Sequence, residues 1–130
     1  MSPKKILIYL TTLMFFMFGG NFLTTKFYWY YSIWWFDIVM HFLGGFWVGL
    51  FFVFLFLRKG NIPKFVYIIF LSLFIGVLWE AFEFWMHNII AGIPFSITDP
   101  LSDILFDLVG ACLAVFYFSK FIMPREENKI

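Results

Sequence analysis

The sequence predicts an all-α integral membrane protein, a single bundle of four transmembrane helices with both termini on the cytoplasmic side. Three observations predict it: apolar stretches long enough to cross a bilayer, basic residues gathered at one end of them, and aromatic residues gathered at the other. Of the 130 residues, 63% are hydrophobic and 13% charged, more apolar surface than a soluble domain of this length can bury. A bilayer removes the difficulty, because the surrounding solvent is then itself apolar. The length fits one domain, residues 1–130.

Four stretches, 6–23, 33–57, 65–86 and 101–123, each approach or exceed the roughly 20 helical residues that span the hydrocarbon layer. Within lipid every backbone polar group has to be satisfied inside its own segment, so these spans are helices. Turn and interface residues separate them: Asn21 to Lys26 after the first, the basic stretch 58–64 with Gly60 and Pro63 after the second, Gly92 and Pro94 after the third. Lys4 and Lys5 ahead of an apolar run also resemble a signal peptide. No Ala-x-Ala-like cleavage site follows, only Gly19, Gly20 and Asn21, so the first span is expected to be a retained anchor.

Orientation follows from charge. Lys4, Lys5, Arg58, Lys59, Lys64, Lys120, Arg125 and Lys129 fall on one side and only Lys26 on the other, which makes the first side cytoplasmic in a cell membrane. Tyr28 to Tyr31, Trp34 and Trp35 form an aromatic belt at the opposite interface. A formal net charge of +1 gives no basic face for nucleic acid, so none is expected as a partner. Cys112, the one cysteine, lies in an apolar run and reads as packing.

On this topology six of the eight acids and both histidines converge on the outer third of the bundle. Asp37 and His41 open span two, Glu80, Glu83 and His87 close span three, and Asp99, Asp103 and Asp107 open span four. Spacings of three and four place each set on one helix face, and charges within spans normally face the bundle interior or a water-filled cavity. Glu126 and Glu127 sit apart in a polar tail. An ionised carboxylate at membrane depth costs several kcal/mol unless paired or hydrated, and the Lys and Arg residues are nearly all at the far face. Helix N-termini help Asp37, Asp99 and Asp103 by about 1–2 kcal/mol each at most, while Glu80 and Glu83 face the unfavourable end of their helix. Bound metal, shared protons or a water-filled mouth is needed to balance the charge.

A divalent metal ion of unspecified identity is the leading expectation, since carboxylates with imidazole suit zinc, manganese or iron, and carboxylates alone magnesium or calcium. Inward-facing carboxylates and histidines are how helical bundles build such sites. Asp37, His41, Glu80 and Glu83 are the expected ligands, with Asp103 or Asp107 as a further ligand or general base, in an enzyme acting on a lipid or lipid-linked substrate. Two alternatives stand beside it. One is ion or proton binding for transport or sensing, whose pathway would need a homo-oligomer because the cytoplasmic halves of the spans carry no acid. The other is a scaffold in which the polar layer only sets helix register.

Simpler roles compete for single residues: capping for Asp99 before Pro100, an interface position for His87, and a structural hydrogen bond to Asp37 for His41. Ser96, Thr98 and Ser102 are accessory donors at best. Gly45 with Gly49, and Gly110 with Ala114, are small-residue pairs. With Gly44 they are expected to bring helices two and four close together just below the acids.

The pattern Asp37-x-x-x-His41-Phe42-x-Gly44-Gly45, then Glu80-x-x-Glu83, then Asp99-Pro100-x-x-Asp103-x-x-x-Asp107-x-x-Gly110-Ala111 resembles the small bacterial inner-membrane proteins of the YjdF type, a family of unknown function. It is more loosely similar to VanZ-like membrane proteins. The resemblance covers spans two to four and implies Asp37, His41, Glu80, Glu83, Asp103 and Asp107 as the characteristic positions. The stretch 93–98 lacks the Gly-Gln-Gly-like segment of the YjdF type, and the third loop lacks the basic residue of the VanZ-like pattern. Such a resemblance implies a fold more firmly than a chemistry.

Overall fold

The computed structural model describes residues 3–27, 35–86 and 98–122, with positions 3, 25, 98, 99, 121 and 122 described by backbone alone. The described chain is helical: α1 Pro3–Phe27, α2 Phe36–Arg58, α3 Phe65–Trp85 and α4 Thr98–Tyr117, the last continued by a π-helical turn Phe118–Ile122. Four of these helices are long and apolar enough to cross a membrane. The expected spans are therefore present, with shifted ends. The first helix is longer than expected at both ends, and α4 starts at Thr98 rather than Leu101. His87 and the aromatic belt from Tyr28 to Trp34 lie outside the described residues, as does the side chain of Asp99.

The apolar composition shows directly in the packing. Large side chains such as Phe15, Phe16, Phe70 and Phe74 are exposed along the helices, a surface suited to lipid and not to water. Two threonine hydroxyls of α1 are satisfied within their own helix: Thr24 Oγ1 donates to the Gly20 carbonyl at 2.6 Å and Thr11 Oγ1 to the Leu7 carbonyl at 2.9 Å. Between α2 and α3 the chain reverses through Gly60, whose φ of 71° is the left-handed conformation that glycine adopts without steric cost. The Gly60 amide donates to the Leu57 carbonyl at 3.0 Å and the Asn61 amide to the Phe56 carbonyl at 2.9 Å, the bond pattern of a Schellman stop.

The helices alternate in direction, so α2 and α4 run parallel to one another and antiparallel to α1 and α3. An apolar core at one end draws on the start of α1 (Ile6, Leu10), the end of α2 (Val53, Phe54), the start of α3 (Ile68) and the end of α4 (Val115, Phe118). Helix α1 is tied to α2, where the Trp47 indole Nε1 donates to the Leu10 carbonyl at 2.9 Å. The most extensive contact is between α2 and α4.

That contact has no room for side chains at two points. A Cβ on Gly45 would collide with the Asp107 carbonyl, and one on Gly110 with the Phe42 carbonyl. At Gly49 a Cβ would stand 2.9 Å from the Ala111 Cα and 3.2 Å from the Ala114 Cβ. Small residues thus let the two backbones touch, the close-packing mode of membrane helices. Gly44 departs from expectation: it faces α1, with Met17 Cε 3.8 Å from where its Cβ would be, because it lies one residue, about 100° of helix rotation, away from the α2–α4 seam.

Candidate functional site

At the end of the bundle away from the apolar core, α2 and α4 begin and α3 finishes. Backbone contact at Gly45 and Gly110 sets α2 and α4 so that residues one turn nearer their starts face each other across the seam. His41 on α2 therefore meets Asp103 and Asp107 on α4. Its Nδ1 lies 3.2 Å from Asp107 Oδ1, while Nε2 lies 3.4 Å from Asp103 Oδ2 and 3.6 Å from Asp37 Oδ1. Only the Asp107 contact has the reach of a firm hydrogen bond. The bond from His41 to Asp37 weighed as its structural role is thus replaced by one to Asp107.

Helix α3 contributes from the opposite direction. Its buried stripe, Ile68, Ser72, Gly76 and Glu80, recurs every four residues and faces the seam. Gly76 leaves space for the second oxygen of Asp107, since a Cβ there would stand 3.3 Å from Oδ2. One turn on, Glu80 is only 8% exposed and its Oε1 has no hydrogen-bond partner among the described residues. Glu83, three residues further, accepts from the Trp79 indole Nε1 at 2.9 Å, which fixes one of its oxygens.

Donor atoms of His41, Glu80, Glu83 and Asp103 all lie within 4.8 Å of one another. All six residues expected from the sequence are thus gathered at this end of the bundle, but their places differ from the expected ligand set. Asp103 joins the close group of four. Asp37 stands at the rim with its side chain 50% exposed, whereas His41 is 10% exposed. The reason is position along the helix: Asp37 is in the first turn of α2, near the helix end, and Asp103 lies in the second turn of α4. Asp107 sits behind His41, with its Oδ1 on the ring's Nδ1. Trp79 and Gly76 were not singled out from the sequence. The spacing of four from Trp79 to Glu83 was a visible signal; the fit of Gly76 against a carboxylate of another helix was not.

The electrostatics are one-sided. Among the described residues the cluster's ion pairs all run to His41, and no Lys or Arg joins them. Lys26 instead lies over the Phe27 ring at 5.7 Å from its centroid. His41 is five residues into α2, about 7–8 Å from the helix start at 1.5 Å per residue. The arrangement has the parts of a cation site: an imidazole nitrogen, three carboxylates, and a fourth carboxylate facing the other ring nitrogen, where an outer partner orients a histidine metal ligand.

Neither a curated protein nor a solved structure shows significant similarity to this chain. A family model does match, over residues 1–123, with the description "Predicted membrane protein (DUF2238)". The match is consistent with the YjdF-type resemblance and extends it to the first helix, whereas nothing in it supports the VanZ-like one. With four membrane-spanning helices and a match over nearly its whole length, the chain belongs to the predicted membrane protein family DUF2238.

Proposed function

We propose that this protein is a divalent-metal-dependent enzyme of the cell membrane, acting on a lipid or lipid-linked substrate at its outer face. The observation that carries the reading is Glu80: a carboxylate oxygen without a hydrogen-bond partner among the described residues, in a residue 8% exposed, beside three further donors. A buried carboxylate without cation or hydrogen bond is costly, and a metal held by His41 Nε2, Glu80, Glu83 and Asp103 removes that cost. Imidazole with carboxylates suits zinc, manganese or iron(II).

Orientation by the basic residues puts both termini and the 58–64 loop in the cytoplasm and the site at the outer face. About 7–8 Å along α2 from its start, the site would lie within reach of lipid ester and phosphate oxygens at the end of the span. A metal there supplies Lewis-acid polarisation of such an oxygen or activation of water. Asp107 holds the His41 ring with Nε2 turned toward the other donors. Asp37, at the rim and half-exposed, is placed to take a proton from water arriving from outside.

A second reading is favoured by His41 alone. Carboxylates face both of its nitrogens, so the ring could carry protons on both and serve in ion or proton binding without metal. Proteoliposomes of total membrane lipid extract separate the two. The enzyme reading predicts a metal-dependent change in lipid composition, read by mass spectrometry and stopped by chelation. It also predicts that Asp107→Asn weakens metal affinity by about 10–100-fold, the usual cost of losing an outer partner of a ligating histidine. Proton or cation flux abolished by Asp107→Asn, with no metal-dependent lipid product, would establish the second reading instead.

A further inference from the structure

The opposite end of the molecule carries a different pattern, and we propose that it binds the headgroup of an anionic phospholipid. Between α2 and α3 lies an open recess of about 550 Å³ lined by Phe56, Gly60, Asn61, Ile62, Lys64 and Tyr67. Arg58, Lys59 and Lys64 fall within seven residues at this point, all exposed, and no acid lies among them. The backbone amides of Lys59, Gly60 and Asn61 are used in closing α2, and the side-chain donors at the rim are those of Lys64, Asn61 and the two flanking bases.

Two features tie this recess to a lipid and not to a solute. Ile62, at the tip of the loop, is 75% exposed between Asn61 and Pro63, which suits a side chain dipping into the interface and not one held in water. The walls continue into the lipid-facing surfaces of Phe65 and Tyr67, 53% and 55% exposed, so a headgroup seated here has its acyl chains alongside them. Lys64 Nζ lies over the Tyr67 ring, 5.6 Å from its centroid, which holds the ammonium at the mouth of the recess while its stem covers apolar surface. A phosphate on Lys64 and Asn61 is met by positive charge from Arg58 and Lys59, and an anionic headgroup gains over a zwitterionic one because nothing negative in the loop opposes it. The inference does not rest on the metal reading, since the two sites lie at opposite ends of the bundle.

The test uses the full chain in nanodiscs of phosphatidylcholine with or without phosphatidylglycerol, then gentle release into detergent and measurement of retained lipid by mass spectrometry. Wild-type protein is expected to retain phosphatidylglycerol in preference to phosphatidylcholine. Lys64→Gln should reduce that preference about fivefold, and Arg58→Gln/Lys59→Gln/Lys64→Gln by more than tenfold, at roughly 1 kcal/mol per cation near a membrane surface. Helix content by circular dichroism shows that these exposed loop changes leave the fold intact. Lys4→Gln/Lys5→Gln removes two charges at the same end but outside the recess and should leave the preference unchanged. Equal retention of the two lipids by wild type, no loss in Lys64→Gln, or an equal loss in Lys4→Gln/Lys5→Gln would overturn the proposal, the last by showing diffuse charge and not a site.

Discussion

Gly45→Val and Gly110→Val are each expected to leave little folded protein to purify. A side chain at Gly45 meets the Asp107 carbonyl and one at Gly110 meets the Phe42 carbonyl and the Phe46 amide. These are backbone atoms, so no change of rotamer relieves the overlap and α2 has to move off α4. Overpacking where side chains can yield costs about 1–3 kcal/mol, and here the obstacle is less yielding. The displaced helices also carry His41, Asp103 and Asp107, so the site is lost with the seam. Gly19→Ala and Gly20→Ala are the controls. Neither position has anything within 4 Å of its would-be Cβ, and replacing a mid-helix glycine by alanine should gain about 0.5–1 kcal/mol. Thermal unfolding in detergent reads all four. Equal behaviour of the seam and α1 variants would mean that the close approach is not what holds α2 against α4.

Glu80→Gln is expected to have opposite effects on stability without and with metal. The substitution keeps shape and removes charge. Without metal, wild type holds a buried carboxylate whose Oε1 finds no partner among the described residues, and an unsatisfied charged group costs about 1–3 kcal/mol or more. The variant should then melt at the higher temperature. With metal in excess the order reverses: a ligand at about 100 times its dissociation constant adds roughly 2.7 kcal/mol to wild type. The variant, with a neutral amide in place of one of three carboxylates, should bind the metal more weakly by at least the ~10–100-fold that accompanies loss of an outer partner. A scaffold role for the polar layer predicts no such crossing, because Glu80→Gln would then shift stability the same way in both conditions.

The sequence made the membrane spans legible because composition and length decide them almost alone. The parallel approach of α2 and α4 was also legible, since Gly45, Gly49, Gly110 and Ala114 repeat every fourth residue and only small residues permit it. Spacing likewise named the faces on which Asp37, His41, Glu80, Glu83, Asp103 and Asp107 lie. It did not rank them. Whether Asp37 or Asp103 joins the inner group depends on how far each helix slides past the other, a distance set by contacts at Gly45 and Gly110 and not by either helix alone. The same limit hid Gly76 against Asp107 and turned Gly44 toward α1. The hydrogen bond from His41 to Asp107 joins residues 66 positions apart, and no local pattern announces it.

Metal content per chain of the detergent-purified protein, measured by elemental analysis beside His41→Ala and Glu80→Gln, bears most directly on the site. A divalent ion in stoichiometric amount in wild type, absent or sharply reduced in both variants, is the predicted result. Metal-free wild-type protein whose melting temperature does not move on adding zinc, manganese, iron(II) or magnesium would contradict it.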